Sequence, residues 1–85
     1  MLFSFLLPKP QDIQHTLAAI KQKAVSNGGK LIGDESSGII TCRGVEGRYT
    51  VGADSIEIAV LKKPSRIMPN AFIEKEIRKI FQSAS

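Results

Sequence analysis

Residues 38–61, from Gly38 to Leu61, read GIITCRGVEGRYTVGADSIEIAVL, and their pattern decides the fold. Small and apolar side chains share one parity: Ile40 and Cys42, then Gly47, Tyr49 and Val51, then Ile56, Ile58 and Val60. Thr41 and Arg43, then Glu46, Arg48 and Thr50, then Ser55 and Glu57 take the other. Successive side chains of an extended chain point to opposite faces, so a period of two with one apolar side predicts half-buried strands. Two turns divide the stretch. A two-residue loop at Gly44-Val45 puts glycine first, as a type II′ turn requires, and sets Arg43 opposite Glu46 and Cys42 opposite Gly47. A loop at Gly52-Ala53-Asp54-Ser55 sets Val51 opposite Ile56. The expectation is a three-stranded antiparallel meander with a single inner face.

Upstream, Lys30 to Glu35 reads as a further strand, with Leu31 and Ile32 competing for the inner face, and Asp34-Glu35-Ser36-Ser37-Gly38 turns it into the meander. Gln11 to Asn27 reads as a helix whose apolar stripe is Ile13, Leu17, Ile20 and Ala24. Pro10 and Asp12 suit its first turn, and Asn27-Gly28-Gly29 supplies a left-handed stop. His15 falls opposite the stripe. The opening run Met1 to Leu7 is apolar and halted by Pro8 and Pro10. It is far shorter than the ~20 residues that span a bilayer and lacks the flanks of a signal peptide. A first strand is expected there, the alternative being an exposed hydrophobic arm.

Downstream, Lys62 to Asn70 holds two prolines and reads as a connection. Asn70 is expected to cap a helix running to about Gln82, with Ile73, Ile77, Ile80 and Phe81 inward and a Glu74–Arg78 pair on its wet side. One strand, a helix, a four-stranded meander and a second helix have a simple packing solution, with both helices on the apolar face of the sheet. The chain is predicted to be one domain, residues 1–85, of the two-layer α+β class, in the order β-α-β-β-β-β-α.

The chain has 85 residues and a net charge of +4. A domain of this size buries only about 60–65% of its unfolded surface. Its one cysteine, Cys42, excludes an internal disulfide and a cysteine zinc site, and fits a reducing, cytoplasmic setting. Charge is unevenly spread. Residues 31–61 are slightly acidic, whereas the flanking helical segments are basic. A basic protein raises nucleic acid or an anionic surface as partners.

The run Gly44 to Ile58, with its Gly-Val-Glu-Gly meander and Ala53-Asp54 turn, together with Ile73-Glu74-Lys75-Glu76-Ile77-Arg78-Lys79, resembles the small polyhydroxyalkanoic acid system (granule-region) proteins. That resemblance implies a reduced Bet v 1-like or START-like domain, a role at polyester storage granules, and no catalytic residues to carry over.

The residues by themselves spell out no catalytic chemistry. Asp34 with Glu35, and Glu74 with Glu76, lack the apolar setting that raises a carboxyl pKa. Ser36-Ser37 has no histidine partner, and Gly28-Gly29-Lys30 precedes a strand rather than the helix a phosphate loop needs. No catalytic, cofactor or metal site is expected. The candidate surface is the connection: Ile67, Met68 and Phe72 are apolar residues left outside a periodic face, with Lys62, Lys63 and Arg66 as a basic rim, the alternative being that the loop folds back and caps the open end of the core. This points to a non-enzymatic binding or adaptor module for a hydrophobic protein, ligand or granule surface. The alternative is a small nucleic-acid-binding module.

Overall fold

A computed structural model, described for residues 1–84, shows the order β1 (Phe3–Pro8), α1 (Ile13–Ser26), β2 (Lys30–Gly33), β3 (Ser37–Cys42), β4 (Val45–Val51), β5 (Ser55–Lys62) and α2 (Asn70–Ala84). The strands form one antiparallel sheet in the order β1-β5-β4-β3-β2. Both helices contribute to a single apolar cluster on one face, so the α+β two-layer architecture is as expected. The opening apolar run is the strand β1, at one edge, with Phe5 and Leu7 buried. Leu31 takes the inner face opposite Ile40, leaving Ile32 exposed beside Ile39.

The meander keeps its inner face but not its first turn. The second hairpin aligns Val51 with Ile56 and Tyr49 with Ile58, as the alternation predicts. In the first, the loop is Arg43-Gly44, so Cys42 faces Val45 and Ile40 faces Gly47. Both loop residues have positive φ, 52° and 83°, the signature of a type I′ rather than a type II′ turn. The slip has a physical reason. With the turn one residue earlier, Val45 joins the strand and packs against the core instead of sitting in the loop. Arg43 bears the left-handed backbone, and its Nη2 donates to Asn27 Oδ1 at 2.6 Å at the end of α1. Gly44 is needed twice over, for its φ and because a Cβ there would lie 2.9 Å from Pro64.

The helix ends also differ from expectation. Asp12 is the N-cap of α1, accepting from the His15 backbone N–H at 3.1 Å, so the helix starts at Ile13 rather than Gln11. It closes as expected through Asn27 and a left-handed Gly28, with the Gly28 and Gly29 N–H groups donating to Val25 and Ala24 carbonyls. In α2 the first helical carbonyl acceptor is Pro69, which takes the Phe72 and Ile73 N–H groups. Asn70 is therefore the first helical residue, not the cap. Its Oδ1 accepts from Lys63 Nζ instead. The Glu74–Arg78 pair forms at 2.9 Å, but on a half-buried flank, where the guanidinium sits 5.0 Å above the Phe5 ring.

Candidate interaction surface

The connection from Lys63 to Pro69 is a braced turn rather than a free loop. Lys63 Nζ donates to the Met68 carbonyl at 3.1 Å and to Asn70 Oδ1 at 3.2 Å, tying the end of β5 to the start of α2. Ser65 braces the middle, its Oγ accepting from Ile67 N and its carbonyl from Met68 N. Pro64 seats against Gly44 of the first hairpin, so connection and hairpin share one end of the sheet.

The six residues singled out from the sequence have different fates. Ile67 stands at the turn with 91% of its surface exposed, and Phe72, in the first turn of α2, is 49% exposed. Met68 turns the other way and packs half-buried against the core. Lys62 and Arg66 are exposed, whereas Lys63 is half-buried and spent on the brace. The outward direction of Lys62 comes from a bulge. Gly47 faces Val60 while Glu46 faces Lys62, so Leu61 is an extra residue in β5. Without it, strict alternation would turn Lys62 inward. Instead it stands across from Glu46 on the outer face, an opposite-charge pair.

One polar constellation that the alternation could not reveal lies at the other end of the sheet. Tyr49 is fully buried, and its hydroxyl donates to the Asp34 backbone carbonyl at 2.7 Å. The ring crosses Gly38, where an added Cβ would lie 2.5 Å from the hydroxyl oxygen. Burial raises the phenol's pKa, and the nearby Asp34 charge adds to the shift. Asp34 itself is lowered, chiefly because its Oδ1 accepts from the Ser36 and Ser37 N–H groups at 2.8 and 3.1 Å. An open depression of about 200 Å³ adjoins this site, between Lys21 and Gln14 of α1 and Asp34, Glu35 and Tyr49. Tyr49, Ile56, Ile58, Val60, Ile73 and Phe81 are buried in one cluster between sheet and helices.

Among the described residues, no three of histidine, cysteine, aspartate or glutamate come together as a metal site, and no helix is long and apolar enough to cross a membrane. The chain matches no family model, no curated protein and no solved structure.

Proposed function

We propose that this chain is a non-enzymatic binding module that meets a hydrophobic partner at the connection between β5 and α2. The observation that carries the reading is Ile67, 91% exposed on a turn whose backbone is braced from both sides. A single exposed apolar residue is ordinary on a protein surface. Here a second, Phe72, follows five residues later, and Lys62 and Arg66 lie close by in the chain. A polyester granule surface, implied by the resemblance to the granule-region proteins, is one partner of this kind. The nucleic-acid alternative finds less support, because the outer sheet face presents Arg48, Thr50 and Glu57 with no aromatic ring for base stacking.

Co-sedimentation with polyhydroxybutyrate beads tests the reading. The parent chain and a Thr50→Asp control are expected to bind, while Ile67→Asp with Phe72→Asp loses the beads at an unchanged melting temperature. Equal binding by that double variant overturns the reading, and no binding by the parent removes the polyester granule as its partner.

A further inference from the structure

The strand directions sort the charges of the chain in a way its linear order conceals. β1 and β5 run antiparallel, β4 reverses β5, β3 reverses β4 and β2 reverses β3. One end of the molecule therefore gathers the last turn of α1, the start of β2, the Arg43-Gly44 turn, the finish of β5, the connection and the first turn of α2. That end carries Lys23, Lys30, Arg43, Lys62, Lys63 and Arg66 against the single acid Glu46. The opposite end holds Asp12, Asp34, Glu35 and Asp54 against Lys9. The same basic end bears exposed apolar side chains on separate elements: Ile67 on the connection, Phe72 on α2 and Val25, 58% exposed, on α1.

We infer that the basic end docks on an anionic lipid bilayer surface, with Ile67 entering the headgroup boundary and the acidic end facing away. The inference rests on the proposed binding role of the connection and names its partner. Charge complementarity selects that partner. Clustered lysine and arginine near a leaflet bind anionic headgroups, and apolar side chains set among them add affinity by entering the interface. A nucleic acid would use the same cations but gain nothing from Ile67. A neutral apolar surface would use Ile67 but not the cations. The acidic pole makes the approach directional, since an anionic surface repels it while attracting the other end.

The test measures partition onto phosphatidylcholine vesicles with and without phosphatidylglycerol, using the full chain. The parent should bind only the anionic vesicles and be released by salt, since exposed charges are screened over about 10 Å at 0.1 M. Lys62→Gln with Arg66→Gln should weaken partition about 30-fold, at about fivefold per cation. Lys9→Gln with Lys79→Gln removes the same charge elsewhere and should leave binding close to that of the parent. Ile67→Asp should lose at least about tenfold. Equal losses from the two charge variants, binding indifferent to Ile67, or tighter association with single-stranded RNA than with vesicles would overturn the inference. Should the parent ignore anionic vesicles yet bind polyester beads through Ile67, the lipid assignment falls and the binding role stands. Failure on both surfaces removes both.

Discussion

Tyr49 shows how much one side chain can coordinate. As an inner-face residue it needs only to be apolar, yet its hydroxyl reaches past Gly38 to close on the Asp34 carbonyl. A buried tyrosine keeps its hydroxyl bonded because an unpaired buried donor costs about 1–3 kcal/mol. Its raised pKa has a definite consequence. The folded value lies above the unfolded one, so the stability it contributes is complete below about pH 10 and is lost as pH rises through the folded value. Asp34 behaves oppositely. Its lowered pKa contributes stability above about pH 4, which is lost as pH falls through the folded value. Tyr49 is the sole tyrosine, so phenolate absorbance reports it alone. Asp34→Asn, which retains an oxygen acceptor for the turn, should shift that titration to lower pH. An unchanged titration would show that the Asp34 charge does not act on the ring.

Among the elements, the register of β4 and β5 governs the core. Ile58→Ala removes a buried partner of Tyr49 and should cost roughly 2–5 kcal/mol in urea unfolding. Thr50→Ala, on the outer face beside Glu57, should cost about 0.5 kcal/mol or less. Comparable losses would mean that the faces are exchanged. The connection divides in the same manner between neighbours. Met68 packs on the core, so Met68→Asp should lower stability by at least about 2 kcal/mol. Ile67→Asp, one residue earlier, should leave melting essentially unmoved. The brace from Lys63 makes this contrast sharp, because it holds the two side chains in opposite directions.

For the whole molecule, pairing from Phe3–Val60 to Pro8–Ser55 adds the N-terminal strand to the sheet beside β5. β3, β4 and β5 have partners on both sides, whereas β2 is a four-residue edge and β1 the opposite edge. Local opening is easiest where fewest neighbours must be released. Amide exchange should therefore be slowest at Tyr49, Ile58 and Val60, and fastest among strand residues in β2. Slower exchange in β2 than in β5 would refute this hierarchy. The segregation of charge also belongs to this scale, since no single element is strongly basic.

The residues alone determined the elements, the inner parity of the three strands between Gly38 and Leu61, the second hairpin and the stripes of both helices. Each of these is a local period, legible because a half-buried strand or helix must repeat its apolar face every two or about 3.6 residues. They could not determine the first turn. Moving it by one residue shifts the pairing by two and leaves every side chain on the same face, so the alternation is blind to it. The decision fell to contacts distant in sequence: Val45 on the core, Arg43 on Asn27 and Gly44 beneath Pro64. Likewise Leu31 won the inner face over Ile32 only by pairing with Ile40, and the Leu61 bulge turned Lys62 outward only against β4. The candidate surface divides along the same line. Ile67, Phe72 and Arg66 were visible as residues outside a buried period. That Lys23, Lys30 and Arg43 lie at their end of the molecule follows from strand direction, which tertiary pairing alone assigns.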